Sequence, residues 1–179
     1  MSTDLQYEKV VLACKEIFLK KTNDYGTAWR VLRTISIVDQ IFIKAQRIRT
    51  IQQIGEQKIS DGIAAEFMGI FNYAAIGLMQ LSLSENDPEE LPTDKVAFLF
   101  DSNILAAKKL MMDKNHDYGE AWRSMSQESF VDLILMKLQR IRQILANDGK
   151  TIMSEGIDAN YFDIINYAAF ALILMNKTE

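Results

Sequence analysis

The chain has a single cysteine, Cys14, so no disulfide can form within it and packing must hold it together. It has two prolines, Pro88 and Pro92, and both fall in one short stretch, which leaves the rest open to continuous helix. There is one histidine, His116, and no Ser/His/Asp constellation for nucleophilic catalysis. The eight glycines nowhere form a phosphate-cradling loop. No β-branched run alternates with polar residues in the manner of a strand. The apolar run Ala168–Met175 is too short to cross a bilayer, so no membrane partner is expected. Basic residues are not in excess: 20 Lys and Arg against 24 Asp and Glu give a formal charge of −4 and an isoelectric point near 5.1. That balance argues against nucleic acid as a bulk ligand. With no apolar targeting stretch after the polar start Met1–Asp4, the cytoplasm is the default expectation.

What is present is globular composition, 49% hydrophobic and 25% charged, arranged as a tandem repeat. At an offset of 93, Lys21, Asp24, Tyr25, Gly26, Ala28, Trp29 and Arg30 meet Lys114, Asp117, Tyr118, Gly119, Ala121, Trp122 and Arg123. Without a gap, Ser36, Asp39, Lys44, Arg47 and Arg49 then meet Ser129, Asp132, Lys137, Arg140 and Arg142. One inserted residue shifts the offset to 94, where Asn72-Tyr73-Ala74-Ala75 meets Asn166-Tyr167-Ala168-Ala169. The chain therefore divides into a first helical repeat, 1–83, a linker, 84–93, and a second helical repeat, 94–179. The linker holds both prolines and a cluster of acids.

Each repeat reads as three helices, which predicts an all-α fold of two tandem three-helix modules packed as a pseudo-twofold helical bundle. The first helix runs from about Asp4 to Thr22, and from Pro92 or Thr93 to Lys114 in the second copy. It closes at Asp-Tyr-Gly, where Gly26 or Gly119 can take a positive φ. A short turn carrying Ala-Trp-Arg follows. Ser36 and Ser129, each with an Asp three residues on, read as N-caps of the second helix, which ends near Gly55 or Gly149. The third helix starts after Gly62 or Gly156 and runs to about Leu81 or Met175.

Two readings of the repeated motif stand side by side. In one, the Trp is a core anchor, the Gly a cap, and the charges a solvated, ion-paired face. In the other, Lys21/Lys114 and Arg30/Arg123 contact phosphate beside a wall for a base made by Tyr25/Tyr118 and Trp29/Trp122, with Asp24/Asp117 retained next to them. The second helix carries Asp39, Lys44 and Arg47, or Asp132, Lys137 and Arg140, which reads either as a solvated face with internal ion pairs or as an anion-binding strip. The acids of the third helix diverge. The second copy has Glu155, Asp158 and Asp163 where the first has Asp61, Ala64 and Gly69. With Glu128 four residues before Asp132, the set Asp132, Glu155, Asp158 and Asp163 could form an oxygen cage for Mg²⁺. Chemistry is therefore expected in the second copy, with the first as its built-in partner. His116 is Asn23 in the first copy and Cys14 is Ala107 in the second, so neither is expected to be catalytic.

Lys-x-x-Asp-Tyr-Gly-x-Ala-Trp, then Asp-x4-Lys-x2-Arg, then an acid-bearing helix with Asn-Tyr-Ala resembles the nucleotide modification associated domain 1 family, formerly a domain of unknown function, over both copies. The layout is also distantly similar to the all-α nucleoside triphosphate pyrophosphatases of the MazG type, in which paired acids on two helices hold Mg²⁺. The resemblance implies a nucleotide or nucleoside phosphate as ligand and a role in nucleotide or DNA base modification, or Mg²⁺-dependent nucleotide hydrolysis. The alternative expectation is a non-catalytic protein-interaction module. Either could be a homo-oligomer.

Overall fold

The computed structural model describes residues 1–55 and 62–176, and among them it is all-α, with no strand. Six helices follow in order: α1 Thr3–Tyr25, α2 Thr34–Ile54, α3 Ile63–Ser82, α4 Thr93–Tyr118, α5 Gln127–Ala146 and α6 Ile157–Met175. A 3₁₀ turn at Ala28–Val31 separates α1 from α2, and its counterpart at Ala121–Ser124 separates α4 from α5. Three helices per repeat is thus the observed pattern. Asp61, the first-copy counterpart of Glu155, lies outside the described residues.

The breaks occur where the backbone requires them. Gly26 and Gly119 have φ of +61° and +62°, and their amides close the preceding helix on the carbonyls of Thr22 and Asn115. Ser36 and Ser129 do not start the second helices, contrary to the sequence expectation. Arg33 and Ser126 are the N-cap residues, and neither makes a side-chain capping bond. The chain leaves each 3₁₀ turn extended, at Leu32 and Met125, and helical bonding begins at once, with Ser36 N donating to Arg33 O at 3.0 Å. Both serines are therefore the third residues of their helices, within the first turn.

Packing interleaves the repeats more than two separate bundles would. α2, α3, α5 and α6 form a four-helix centre, in which α3 lies against α6 and α2 against α5. α1 and α4 pack on the third helices of both copies and on each other. A single hydrophobic core runs through both halves. α3 and α6 are almost wholly apolar, and such a helix must be covered on all sides. At 19 residues, α6 is also long and apolar enough, by length and composition alone, to span a bilayer, which the run 168–175 is not. Here it is the core helix, with 67% of its apolar window buried in protein.

The pseudo-twofold relation shows in reciprocal ion pairs. Asp39 accepts from Arg142 at 2.9 Å, and its counterpart Asp132 faces Arg49 at 3.9 Å. Lys15 meets Asp101 at 2.8 Å, while Lys108, its counterpart, meets Glu8, the counterpart of Asp101. Residue i meets j and j meets i, as at an isologous dimer interface. Such exposed pairs contribute about 0–1 kcal/mol each, so they set register more than they supply stability.

Symmetry fails at the closest approach of α3 and α6. Gly77 lies under the fully buried ring of Tyr161, and a Cβ there would sit 2.5 Å from the ring. The corresponding pair in the other sense is Ala171 and Phe67. Gly77→Ala should therefore force the two helices apart and cost about 1–3 kcal/mol, the usual range for overpacking a core. Urea unfolding monitored by circular dichroism measures it, and an unchanged midpoint would show that the ring moves aside freely.

Candidate functional site

A pocket lies in each repeat, built from equivalent positions. The first, of about 540 Å³, lies between the end of α1, the 3₁₀ turn and α3, with Lys44 of α2 at its side. Its chemistry is carried by Lys21, Tyr25, Trp29, Lys44, Asn72 and Tyr73. The second, of about 350 Å³, has Lys114, Tyr118, Trp122, Asn166 and Tyr167 at the matching places. Lys and Tyr four residues apart on the last turns of α1 or α4 share one helix face, which is why both reach the pocket. Tyr25 and Tyr118 are 71% and 75% exposed, so they form rims rather than floors.

The Trp residues are placed by the arginines that follow them. Arg30 donates to the carbonyls of Ser84, Asp87 and Pro88 and to Gln80 Oε1, which ties the turn to the linker leading into α4. Gln80 Nε2 in turn donates to the carbonyls of Trp29, Arg30 and Leu32. Arg123 lies 4.4 Å from the Trp122 ring and bonds Glu120, Thr3 and Gln6, so it holds the start of α1. Each Trp-Arg turn thus grips the entry to the other repeat's first helix. Arg30 and Arg123, expected at phosphate, are committed to this task instead. Gln80 was not foreseen, because its counterpart is Leu174 and the repeat comparison gives it no signal.

The decisive differences lie on the third helices. In the second repeat, Asp163 is 6% exposed and its two oxygens accept from Lys114 and Lys137, each at 2.8 Å. Burial lowers the Lys114 ammonium, but the hydrogen bond and charge of Asp163 outweigh it and leave its pKa above the ordinary value. The stabilisation linked to the Lys114 proton is present below its unfolded pKa and is lost as pH rises through the raised folded value. Phe170 stacks on Trp122 with centroids 4.2 Å apart and planes 7° off parallel. In the first repeat these positions are Gly69 and Ile76. There Glu66, one turn earlier, pairs with Arg47 at 2.8 Å and with Lys44 at 3.7 Å, and Lys21 has no acidic partner among the described residues.

The buried asparagines differ in the same sense. Asn166 donates to Ala107 O and accepts from Tyr7 Oη at 2.8 Å. Asn72 donates to Cys14 O, but the counterpart of Tyr7 is Phe100, and Asn72 Oδ1 is buried with no donor. The indole N–H groups of Trp29 and Trp122 are likewise buried and unpartnered. An unsatisfied buried acceptor costs about 1–3 kcal/mol.

Several residues expected at a site lie elsewhere. Asp39 and Asp132 face arginines across the repeat interface, which accounts for their retention in both copies. Asp132, Glu155, Asp158 and Asp163 do not converge, and among the described residues no group of three acids, histidines or cysteines could hold a metal. Asp163 faces two ammonium groups, while Glu155, Asp158 and Glu128 are exposed. Asp24 and Asp117 are exposed outside the pocket walls, and Arg140 is exposed, with Met136 Sδ 3.9 Å from its guanidinium and Tyr167 of the second pocket within electrostatic reach. His116 pairs with Asp117 on the surface. Cys14 is fully buried, and burial pushes its thiol up to about 12, so it is inert.

The model of the nucleotide modification associated domain 1 family matches this chain twice, over residues 21–81 and 114–175, which spans both pockets. No curated protein and no solved structure matches.

Removing the Asp163 carboxylate leaves Lys137, itself 8% exposed, buried without a counter-charge. Asp163→Asn should lose about 3–5 kcal/mol, the usual cost of breaking a buried ion pair. Adding Lys137→Met should recover most of it. Thermal and urea denaturation of the single and double variants checks this, and an Asp163→Asn variant as stable as the parent would refute the buried triad.

Proposed function

Because the chain belongs to the nucleotide modification associated domain 1 family in both of its halves, we propose that it binds a nucleotide, and does so in the pocket of the first repeat. The observation that carries this reading is the pairing, on one wall, of two lysines with an open set of aromatic rings. Lys21 and Lys44 supply positive charge for a phosphate, with Lys44 5.8 Å from the centroid of Tyr73. Trp29, Tyr25 and Tyr73 offer flat faces for a base. The volume, about 540 Å³, falls within the range of small-molecule sites.

The reading is one of binding rather than turnover. Hydrolysis of the pyrophosphatase kind uses several carboxylates around a metal, and among the described residues this pocket carries one, Glu66, already paired with Arg47 and Lys44. Magnesium would then arrive with the phosphates of the nucleotide, a cation the ligand brings rather than one the protein holds.

Isothermal titration with nucleoside and deoxynucleoside mono- and triphosphates, with and without Mg²⁺, tests this directly. Lys21→Ala should weaken the best ligand by about tenfold, the worth of one charge-assisted contact. Tyr73→Ala should weaken it as well, through loss of ring contact. If no nucleotide produces heat or a thermal shift, or if Lys21→Ala leaves affinity unchanged, the reading is wrong.

A further inference from the structure

The two pockets descend from one ancestor site, yet they differ at the two points where a ligand would be held. In the second, the carboxylate of Asp163 sits between Lys114 and Lys137, and the flat ring of Phe170 lies on Trp122. In the first, Gly69 and Ile76 put neither group there, although Lys21, Lys44 and Trp29 are retained. We infer that the second pocket is closed by the protein's own side chains, Asp163 standing in for an anionic group and Phe170 for a planar ring, and that the chain therefore binds one ligand, in the first pocket. This rests on the reading above and narrows it to a ligand with an anion and a stacking ring, of which a nucleoside monophosphate is the simplest member.

Two differences run in the same direction. The first is charge: two lysines share one buried carboxylate in the second repeat, whereas in the first Lys21 has no acidic partner among the described residues and Lys44 shares Glu66 with Arg47. The second is space, about 540 Å³ against 350 Å³, as a phenyl ring and a carboxylate replace a smaller side chain and none.

The exchange can be made in either direction. Gly69→Asp brings the second repeat's carboxylate into the first pocket. Its Cβ would meet Lys44 Cδ and Cε at 3.0 Å, the far end of a flexible chain that can shift to form the pair. The converse variant, Asn160→Glu with Asp163→Gly and Phe170→Ile, gives the second pocket the first one's layout and leaves Lys137 an acid to face. Titration with the four deoxynucleoside monophosphates should give one site per chain for the parent, loss of at least about tenfold in affinity for Gly69→Asp, and two sites for the converse variant. Gly69→Asp should melt no lower than the parent without ligand, which separates a blocked site from a damaged fold. Two sites in the parent, or full affinity in Gly69→Asp, would overturn the inference while nucleotide binding itself survived.

Iodide quenching gives a readout that needs no nucleotide, because the chain has two tryptophans, one per pocket. With Trp122→Phe, iodide should quench Trp29 well beyond what neutral acrylamide does, and adding Gly69→Asp should remove that excess. With Trp29→Phe, Trp122 should show no excess. If this pattern holds and no nucleotide binds, the nucleotide reading fails and the closed second pocket stands. If both tryptophans respond alike, the inference is overturned whatever the chain binds.

Discussion

The structure depends on the need to cover two helices that are apolar nearly all round. α3 and α6 have too little polar surface to lie at the edge of a bundle, and a three-helix repeat alone would leave one side of its third helix in water. Each repeat supplies the missing cover for the other. The α3–α6 contact is the centre of the molecule, and the approach permitted by Gly77 under Tyr161 sets its closeness. Once those helices are back to back, the rest of the arrangement follows: α2 must meet α5, the first helices must straddle both, and the pockets must open beside the third helices, away from the shared centre.

That geometry assigns the repeated residues to two kinds of work. Asp39 and Asp132 with Arg142 and Arg49, and Arg30 and Arg123 with the linker and the start of α1, hold one repeat to the other. Their retention is a consequence of pseudo-symmetry, since a change in one copy breaks a contact that its counterpart also makes. Lys21, Lys44 and Trp29, and Lys114 and Trp122, belong instead to pocket walls, and Lys137 is buried against Asp163 behind the second. Retention alone cannot separate these groups; only the partner of each side chain does.

This is also where the reading of the sequence stopped. The duplication, the six helices and the glycine ends were legible, because repeats, periodicity and positive-φ positions are local signals. The roles of Asp39 and Asp132 were not, since a carboxylate beside cations reads the same whether it faces an arginine across an interface or an anion in solution. Ser36 and Ser129 were read as caps because nothing local shows how the chain leaves the 3₁₀ turn. The third-helix acids were correctly seen to diverge, but the divergence was weighed as a loss of metal ligands in the first repeat. In space Asp163 is a counter-ion, and its absence at Gly69 releases charge rather than removing chemistry. Gln80 had no counterpart to mark it and was invisible to any comparison of the halves.

The two halves can afford to differ because they share one core. Gly69 within α3 carries a helix-propensity cost of about 0.5–1 kcal/mol relative to alanine, and the unpaired Asn72 acceptor adds about 1–3 kcal/mol. The second repeat has Asp163 and a satisfied Asn166 at these positions and gains a buried ion triad and a stacked aromatic pair, but it buries the Tyr161 hydroxyl without a partner. An isolated module with the first repeat's defects would be marginal against a total stability of about 5–15 kcal/mol. Joined to its twin through α3 and α6, it can keep Lys21 without an acidic partner among the described residues and the Asn72 acceptor without a donor. Two copies of one fold thus distribute these contacts and defects unequally within a single chain.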